Sequence, residues 1–402
     1  MDKYLVINAG SSSLKFSMYK MPEEKEIING YIEKIGLPDS FWSYKINGEK
    51  QEEQGLINNH EESVQKMLDI LFQNKIIESL EEIKGVGHRV LHGGEIYSDS
   101  VIIDNKVLND IVDLTKLGPL HHPGEIAGIK AMLEYLPNVK QVAVFDTAFH
   151  QTMPKKNYLY PVPYKWYEEN HVRKYGFHGT SHKYLTNKAK EKMNKENVNL
   201  IICHVGSGAS ITCVKDSKSI NTTMGLTPLD GLIMGSRSGA IDPSIIKYIS
   251  EERNIGIDEI TNTLNKESGL LGIAGKSDFR DVIALKEEGN KNAELAYDMY
   301  KKRIINFIAE YYFELNGEID AIIFSAGVLE NNSNLREDII NEISKPLNIK
   351  LNKEINDIIG AGKELKEGII TEKDSKIPVY VIPTSEEIMI LKDTIELVKN
   401  TY

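Results

Sequence analysis

Two stretches of the sequence share one layout, and this repeat limits the fold more than any other feature. Residues 3–20, KYLVINAGSSSLKFSMYK, read as a strand, a turn of small residues, a second strand and a charged turn. Residues 199–220, NLIICHVGSGASITCVKDSKSI, have the same order. A third apolar strand, DAIIFSAG (320–327), also ends at a glycine turn. Two copies of one unit predict two domains, each with a hairpin whose turn faces a shared cleft.

Strand patterns alternate with helical patterns along the chain, which is typical of an α/β fold. We expect helices over 61–78, 124–136, 292–315 and 386–399 from their apolar spacing. A chain of 402 residues is long for one hydrophobic core, which also favours two domains. The polar segment that begins at Pro154 is the best boundary. We therefore predict an N-terminal domain of residues 1–150 plus 385–402, and a C-terminal domain of residues 151–384.

Charge and composition exclude several classes of function. The net charge of −11 argues against a nucleic-acid surface or an anionic membrane patch. No run approaches the roughly 18–20 apolar residues of a membrane span, and the first residues lack the pattern of a signal peptide. Cys203 and Cys213 lie in strand-like apolar runs and lack metal-type spacing, so we expect buried, reduced thiols and a cytoplasmic protein.

Polar groups that suit chemistry fall in six short stretches. Glycine and serine in AGSSS (9–13) favour either an ordinary turn or one that binds an anion through backbone N–H groups. The other five are GHRVLHGG (87–94), FDTAFHQTMP (145–154), KYGFHGTSHKY (174–184), MGLTPLDGLIMGSRSGAIDP (224–243) and PTSEE (383–387).

Each candidate taken alone has an ordinary structural explanation. Arg89 and Arg237 could be surface ion-pair partners, and Asp146 could cap a helix. His178 could be a hydrogen-bonded interior histidine, and Glu386 with Glu387 could only begin a helix and complement its dipole. The histidine pairs 121/122 and 178/182 lack a third ligand, so the sequence does not favour zinc.

Together the groups suit phosphoryl transfer from a magnesium nucleotide. Two anion-binding turns, two arginines, a histidine and one or two carboxylates can position phosphates and neutralise their charge. The chain has neither a P-loop pattern nor the protein-kinase motifs.

The motifs give a specific resemblance. KYGFHGTSHKY and FDTAFHQTMP are similar to those of the acetate kinase family, in the acetate and sugar kinase/heat-shock cognate/actin superfamily. The resemblance runs from residue 6 to residue 387, nearly the whole chain. It implies a homodimer whose protomers have two duplicated actin-like (ribonuclease H-like) α/β domains with the active site in the cleft between them. On this reading the first serine turn binds phosphate.

The resemblance also implies site residues, which we take over position by position. Those near Mg²⁺ (or Mn²⁺ in its place) would be Asn8 and Glu386. Those contacting nucleotide phosphates would be Ser11, Ser13 and Lys15. Those lining the ATP/ADP site would be His204, Val205, Gly206, Ser207, Gly208, Asp278, Phe279, Arg280, Gly327, Val328, Leu329, Glu330 and Asn331. The catalytic group would be Arg89, Asp146, His178 and Arg237, with Arg89 also binding the substrate carboxylate. The apolar pocket for the substrate methyl group would be Leu91, Leu120, Phe177 and Pro228.

The mechanism follows from the acceptor. Acetate is ionised at neutral pH, so its oxygen needs no base. It needs relief from repulsion by the phosphoryl group, which Arg89 and Arg237 can supply. We therefore interpret Asp146 as an orienting or metal-linked carboxylate, and we expect direct in-line transfer between ATP and acetate, giving acetyl phosphate and ADP.

Several positions depart from the family pattern. Ser207 replaces an asparagine, His122 stands in an HHP motif, and Ser385 lies in PTSEE. Leu91 stands where valine is frequent, which predicts a tighter acyl pocket. Leu329 occupies a glycine position in the turn GVLEN (327–331), so we hypothesise that its side chain obstructs the adenosine site.

Other functions stay open at this point. A related kinase could use propionate or formate, and pyrophosphate could replace ATP because it lacks adenosine. A sugar kinase would use Asp146 as a base, although a neutral hydroxyl does not need the paired arginines. An actin-like nucleotide switch is disfavoured by His178 and Arg237.

Overall fold

The computed structural model describes residues 2–400 and forms two sheets with helices on their faces. Over this range the strands are β1 (Lys3–Ala9), β2 (Ser13–Lys20), β3 (Lys25–Glu33), β4 (Phe41–Ile46), β5 (Glu49–Gln54), β6 (Ile83–Val90), β7 (Val101–Ile102), β8 (Lys140–Phe145), β9 (Leu200–Val205), β10 (Ala209–Lys215), β11 (Lys218–Thr222), β12 (Ala321–Ser325), β13 (Gly368–Ile369) and β14 (Val379–Val381).

The helices of the same range come in several lengths. They are α1 (His60–Gln73), α2 (Asn105–Asp113), α3 (His122–Tyr135), α4 (Lys155–Tyr158), α5 (Tyr164–Asn170), α6 (Gly179–Met193), α7 (Ser244–Arg253), α8 (Ile257–Lys266), α9 (Gly269–Ala274), α10 (Phe279–Glu287), α11 (Lys291–Glu314), α12 (Ala326–Asn331), α13 (Ser333–Leu347), α14 (Lys353–Ile358) and α15 (Glu386–Lys399), with short 3₁₀ turns at Leu80–Glu82, Leu114–Leu117 and Ala148–Thr152.

The helical patterns seen in the sequence fall on helices of the structure. The predicted helix over 386–399 has those bounds, and the one over 292–315 is α11, shifted by one residue. The predicted helix over 61–78 is shorter than expected, because α1 ends at Gln73 and Lys75 takes a left-handed backbone conformation (φ 54°) that stops the helix. No helix within residues 2–400 is both long and apolar enough to cross a membrane.

The chain packs as two units. Unit 1 comprises Met1–Phe149 and Ser385–Tyr402, and unit 2 comprises His150–Thr384. Unit 1 contains the sheet β5-β4-β3-β2-β1-β6-β8-β7, and unit 2 contains the sheet β11-β10-β9-β12-β14-β13.

The sheets repeat one topology, which is the duplicated actin-like fold. In unit 1, β3-β2-β1 are antiparallel, and β6 and β8 continue the sheet parallel to β1. In unit 2, β11-β10-β9 are antiparallel, and β12 and β14 continue it parallel to β9. The repeat inferred from the two small-residue hairpins is thus confirmed at the level of strand order and direction.

Alternating side chains of β1 build two cores in unit 1. Leu5 and Ile7 lie in one hydrophobic cluster with residues of α1 and α3. Tyr4 and Val6 point to the other face and join a cluster with Ile390 and other residues of α15. The segment after unit 2 therefore covers the sheet of unit 1. Strand β5, EKQEEQ, forms one edge of this sheet and is exposed along its whole length. Its charged side chains disfavour pairing of this edge with another chain.

The first hairpin turn is held by two helices. A Cβ at Gly124, near the start of α3, would lie 2.2 Å from the carbonyl oxygen of Gly10, so only glycine allows this approach. His60 at the start of α1 places its Nε2 2.7 Å from the same oxygen. The turn between β1 and β2 is consequently fixed in place while Ser11 stays exposed.

Candidate functional site

Unit 1 has a charged cluster at the carboxyl ends of two parallel strands. Arg89 lies near the end of β6, and Asp146 follows β8 directly. The Arg89 guanidinium contacts the Asp146 carboxylate through two pairs of atoms, Nη2–Oδ2 at 2.5 Å and Nε–Oδ1 at 3.2 Å. Asp146 is buried and Arg89 is largely so. The two-point contact fixes the plane of the guanidinium and limits how it can meet another anion.

Asn8 and Glu386 complete this cluster. Arg89 Nη1 lies 3.4 Å from Asn8 Oδ1, at the end of β1. Glu386 begins α15, and burial, followed by the charge of Asp146, raises the pKa of its carboxyl to about 7. Burial disfavours the charge on Arg89, but Asp146 and then Glu386 outweigh it and raise the pKa of the guanidinium. Burial also raises the pKa of Asp146, against the opposing effect of Arg89.

The donor set of this cluster fits a hard divalent cation. Asp146, Glu386 and Asn8 offer carboxylate and amide oxygens, which Mg²⁺ prefers, and the repulsion between the two acids is what a cation would relieve. In the part of the chain that the structure describes, no group of three or more His, Cys, Asp or Glu residues is arranged to hold a metal by itself. Mg²⁺ commonly uses one or two protein carboxylates and takes its other ligands from water and substrate phosphates.

Lys15 stands beside this cluster. It is exposed and lies opposite Asn8 in the antiparallel pair of β2 with β1. Directly opposite residues of two strands project from the same face of the sheet, so Lys15 and Asn8 share a face. The charge of Lys15 acts to lower the pKa of Glu386. Ser13 is half-buried at the start of β2.

Sequence reasoning missed Glu125, a buried acid behind Arg89. Both carboxylate oxygens of Glu125 accept from the Leu91 backbone N–H, at 3.1 and 3.2 Å. Burial raises the pKa of this carboxyl to about 8, with Arg89 opposing the shift. Its position could have been recognised, because Glu125 falls at helical spacing with Ile129 and Met132 on the buried face of α3.

His122 lies next to Glu125 on α3. Its Nδ1 is 3.0 Å from the carbonyl oxygen of Ile111, and its Nε2 is 3.9 Å from a carboxylate oxygen of Glu125. Burial lowers the pKa of the His122 ring. His122, which departs from the family pattern, is therefore an interior residue of unit 1.

The four residues predicted to contact the methyl group are divided between the units. In unit 1, Leu91 is buried whereas the side chain of Leu120 is 60% exposed. In unit 2, Phe177 is buried and Pro228 is half-buried.

Unit 2 contains a cavity of about 870 Å³. Eleven residues predicted for the nucleotide site line it, together with the predicted catalytic residue His178: His204, Gly206, Ser207, Gly208, Asp278, Phe279, Arg280, Gly327, Val328, Glu330 and Asn331. Further lining residues that sequence reasoning missed are Gly235, Leu270, Ser277, Tyr300, Ala326, Asn332, Ala361 and Thr384. Among the predicted residues, Val205 is buried within β9 rather than at the cavity.

The hypothesis that Leu329 obstructs this cavity is wrong. The predicted turn 327–331 is the helix α12, and Leu329 is fully buried and does not belong to the cavity wall. Successive helical residues are rotated by about 100°. Gly327, Val328, Glu330 and Asn331 therefore cover the face toward the cavity, and residue 329 points to the opposite side.

Arg336 fixes the backbone of this helix. Its buried Nη1 donates to the carbonyl oxygens of Leu329 and Glu330, at 2.7 and 2.8 Å. The Glu330 carboxylate accepts from the backbone N–H groups of Ala326 (2.6 Å) and Thr384 (3.2 Å). These contacts join α12 to the segment after β14 on one side of the cavity.

Two imidazoles, those of His178 and His204, also line the cavity. His178 has a left-handed backbone (φ 56°), which is strained for a residue with a Cβ. Its ring centroid is 4.3 Å from that of His204, and its Nδ1 is 2.9 Å from Ser210 Oγ. His204 Nδ1 lies 2.7 Å from Ser181 Oγ, and burial lowers the pKa of His204 to about 4. The His204 ring is therefore neutral at physiological pH.

Arg237 is a partly buried cation of unit 2. Its Nη1 donates to the carbonyl oxygen of Pro228 at 3.2 Å and lies 3.8 Å from Met234 Sδ. Within residues 2–400, no carboxylate of its unit forms an ion pair with it. Burial lowers the pKa of the guanidinium because its charge is poorly compensated. An anionic ligand would supply that compensation.

Comparison with known proteins gives a consistent answer over nearly the whole chain. The model of the acetokinase family matches residues 3–392. The acetate kinase of Bacillus cytotoxicus is 48% identical over 400 residues, covering 99% of this chain and 99% of that protein. The structure of Porphyromonas gingivalis acetate kinase matches with a TM-score of 0.93 and 38% identity, covering 99% of this chain and 100% of that chain. A propionate kinase from Francisella tularensis matches with a TM-score of 0.92 and 41% identity, over the same shares of the two chains.

Proposed function

The chain belongs to the acetokinase family, and we propose that it catalyses reversible phosphoryl transfer between ATP and acetate, giving acetyl phosphate and ADP. The observation that carries the proposal is Arg237, a partly buried guanidinium with no carboxylate of its unit as partner, in a protein with a net charge of −11. Such a cation is costly to bury unless an anion binds to it. A transferring phosphoryl group is an anion of this kind.

We assign recognition of the carboxylate substrate to unit 1. Arg89 binds the carboxylate of acetate and offsets its repulsion with the phosphoryl group. Asp146 orients Arg89 through the two-point contact and does not act as a base, because acetate is already ionised at neutral pH. Leu91, Leu120, Phe177 and Pro228 are proposed to contact the methyl group.

Asn8 and Glu386, with Asp146 beside them, are proposed to hold Mg²⁺, with Mn²⁺ as an alternative. The ion would neutralise part of the phosphate charge. Ser11, Ser13 and Lys15 are proposed to contact nucleotide phosphates from the first hairpin. The small residues there expose backbone N–H groups that suit an anion.

We assign nucleotide binding to the cavity of unit 2. Its glycines Gly206, Gly208 and Gly327 allow close approach of backbone to a ligand. His178 and Arg237 are proposed to stabilise the transition state of direct in-line transfer. The domains of this proposal are residues 1–150 with 385–402 and residues 151–384.

A second acid is favoured by one comparison. The match to a propionate kinase at 41% identity makes propionate the main competitor of acetate, with formate as the smaller alternative. Pyrophosphate was considered as phosphoryl donor because Leu329 was expected to obstruct adenosine. Leu329 does not narrow the cavity, so this reason to favour pyrophosphate no longer holds. The sugar-kinase and nucleotide-switch alternatives would leave Arg89 and Arg237 without a role.

A matrix of substrates tests the proposal. ATP, GTP and pyrophosphate are each combined with acetate, propionate and formate, and acyl phosphate is measured directly. We expect ATP with acetate to give the highest kcat/KM. Transfer to none of the three acids would overturn the proposal, and faster transfer to propionate would replace acetate as substrate.

Leu91→Ala tests the acyl pocket in the same assay. Removal of side-chain volume should shift the kcat/KM ratio toward propionate by about 10–200-fold, the range for one methylene in an apolar pocket. The matched control is Leu56→Ala, which changes an exposed leucine of the same unit outside the proposed pocket and should leave the ratio unchanged. An unchanged ratio in Leu91→Ala would remove this residue from the pocket.

We also propose a cytoplasmic homodimer. The family resemblance implies the dimer, and the buried free thiols of Cys203 and Cys213 support a reducing compartment. Sedimentation equilibrium across a range of protein concentrations should give twice the mass of the 45.4 kDa chain. A mass of one chain at all concentrations would contradict the dimer.

A further inference from the structure

Ser210 is a buried hydroxyl placed between two imidazoles of unit 2. Its Oγ lies 2.9 Å from His178 Nδ1 and 2.8 Å from His182 Nε2. Ser210 is the second residue of β10, the strand that follows the glycine turn 206–208, and it is fully buried. His182 lies one turn after His178, on α6, and is also fully buried.

The single hydroxyl hydrogen of Ser210 decides which ring nitrogens carry protons. If it is donated to His178 Nδ1, that nitrogen is bare and Ser210 accepts a hydrogen bond from His182 Nε2–H. If it is donated to His182 Nε2, the neutral His182 ring must carry its hydrogen on Nδ1. If it is donated to neither ring, both rings donate to Ser210.

Burial distinguishes among these three arrangements. His182 Nδ1 is buried and has no hydrogen-bond partner in the described chain. The second arrangement would place an N–H at this atom, and the third would leave the Ser210 O–H without an acceptor. Either arrangement is disfavoured, because it leaves a buried donor without an acceptor. In the first arrangement the Nε2–H of His182 donates to Ser210 and the O–H of Ser210 donates to His178 Nδ1, so both of these buried donors have an acceptor.

We propose that Ser210 and His182 are positioning residues that hold His178 in its Nε2–H tautomer, so that His178 donates a hydrogen bond to the transferring phosphoryl group. The tautomer of a histidine is set by the bond that its other ring nitrogen makes. A donor at Nε2 stabilises a developing negative charge, whereas a bare nitrogen would repel it.

The position of His178 Nε2 supports this role. A Cβ built at Gly208 would lie 3.3 Å from that atom, and both Gly208 and His178 line the cavity of unit 2. Burial, together with the neighbouring His150, His204 and His178, holds the pKa of His182 well below its usual range. His182 therefore stays neutral, as the ordered chain requires.

The inference rests on the proposed role of His178 in transfer, but the tautomer can be measured without turnover. In protein labelled with ¹⁵N-histidine, long-range ¹H–¹⁵N correlations report which ring nitrogen carries the hydrogen, and loss of signals in His178→Gln assigns the ring. We expect wild-type His178 to carry its hydrogen on Nε2. A hydrogen on Nδ1 would overturn the inference whatever the activity.

Three variants connect the tautomer with catalysis. Ser210→Ala should mix the tautomers of His178 and lower kcat about tenfold, with KM values for ATP and acetate within about twofold of wild type. The loss should stay below the ~10²–10³ expected when a charge-stabilising donor is removed. Ser210→Thr keeps the hydroxyl and should restore both tautomer and kcat. In His182→Gln the side-chain amide can replace the lost donor, so kcat should fall less than in Ser210→Ala.

Ser219→Ala is the matched control. Ser219 is also fully buried in unit 2, and its Oγ lies 2.9 Å from His150 Nδ1, outside the His182–Ser210–His178 chain. We expect the tautomer of His178 and kcat to be unchanged in this variant. Equal losses of kcat in Ser219→Ala and Ser210→Ala would show a general packing effect and overturn the inference. Full activity of His178→Ala would instead refute the proposed role of His178, while the tautomer result would stand.

Discussion

The two units share a strand order but differ in the chemistry that follows their strands. Unit 1 brings Arg89, Asp146 and Glu386 together, so its polar groups are charged and paired. Unit 2 places the imidazoles of His178 and His204 and several glycines around a cavity, whose wall also includes Asp278, Arg280 and Glu330. Its one cation of interest, Arg237, has no carboxylate of the unit as partner.

The difference shows that the duplicated sheet determines where polar groups lie, whereas the sequence of each unit determines which groups these are. In both units the ends of β-strands and the first hairpin turn present groups of the candidate site. Charged groups that neutralise one another suit recognition of a small anion and a metal. Imidazoles and glycines suit a large ligand that approaches the backbone closely.

The largest effects should come from the two arginines. Arg89→Ala and Arg237→Ala should each lower kcat about a thousandfold or more, because a cation that stabilises a phosphoryl transition state contributes on that scale. Their effects on stability should differ. Arg89→Ala leaves Asp146 buried without its partner, which costs about 3–5 kcal/mol. Arg237→Ala breaks no ion pair within unit 2, so its free energy of unfolding should change by less than about 1 kcal/mol.

Urea unfolding and steady-state kinetics on both variants measure this contrast. Arg89→Lys is the control that keeps the charge but loses the two-point contact with Asp146. Near wild-type kcat in either alanine variant would refute the role of that arginine. Equal losses of stability would contradict the difference between a paired and an unpaired cation.

A smaller effect should follow from Leu329→Gly in unit 2. The substitution empties a fully buried position and adds a glycine to α12, which together should lower the free energy of unfolding by about 3–5 kcal/mol. ATP affinity should be unchanged, because the side chain points away from the cavity. Val328→Gly is the matched control. It weakens the same helix at a residue that lines the cavity, so it should alter ATP affinity with less loss of stability.

Isothermal calorimetry with ATP and thermal denaturation separate the two variants. A gain of ATP affinity in Leu329→Gly would restore the idea that this leucine obstructs the nucleotide.

The smallest effect concerns the pH dependence of stability. The carboxyl of Glu125 has an ordinary pKa of 4.5 and a raised pKa of about 8 in the fold. Between these values the unfolded chain has released the proton and the folded chain has not, so the free energy of unfolding falls as pH rises. Each such proton contributes about 1.4 kcal/mol per pH unit. In Glu125→Gln, the fall from pH 6 to pH 7 should be shallower by about this amount.

In unit 2, His204 should make the free energy of unfolding depend on pH in the opposite sense. His204 has an ordinary pKa of 6.5 and a lowered pKa of about 4 in the fold, so its contribution to stability is complete above 6.5 and is lost as pH falls toward 4. Urea unfolding of wild type and Glu125→Gln at a series of pH values measures both the fall in stability above pH 4.5 due to Glu125 and the loss of stability below pH 6.5 due to His204. Parallel curves for the two proteins above pH 6 would show that Glu125 ionises in the folded state at its ordinary pKa.

The sequence predicted the parts of the fold that have strong periodicity. The apolar spacing of residues 386–399 and the two small-residue hairpins were sufficient for α15 and for the repeat of the sheets. The short helix α12 could not be predicted, because six residues contain too few turns for a periodic pattern and Gly327 favours a turn. For that reason the prediction that the Leu329 side chain enters the adenosine site was wrong.

The hydrogen bonds of buried polar residues were the other gap. Glu125 lies in a run whose helical pattern was recognised, but the pattern alone does not show that its carboxylate accepts from the Leu91 N–H. Ser210 belongs to the recognised GSGAS turn, and its contact with His182 depends on how β10 packs against α6. Contacts between elements that are distant in the chain need the folded structure.

The attachment of α15 to the sheet of β1, β6 and β8 has a consequence for biosynthesis. A ribosome releases the strands of unit 1 first, then the whole of His150–Thr384, and only then the helix that covers one face of the first sheet. Until α15 has been synthesised, Ile390 and its neighbours do not cover Tyr4, Val6 and Val144. The nascent sheet therefore exposes a hydrophobic face that chaperones can bind. Unit 2, which is continuous in the chain, can complete its core earlier. The segment that follows unit 2 therefore brings Glu386 to the charged cluster and completes the core of the unit that precedes unit 2.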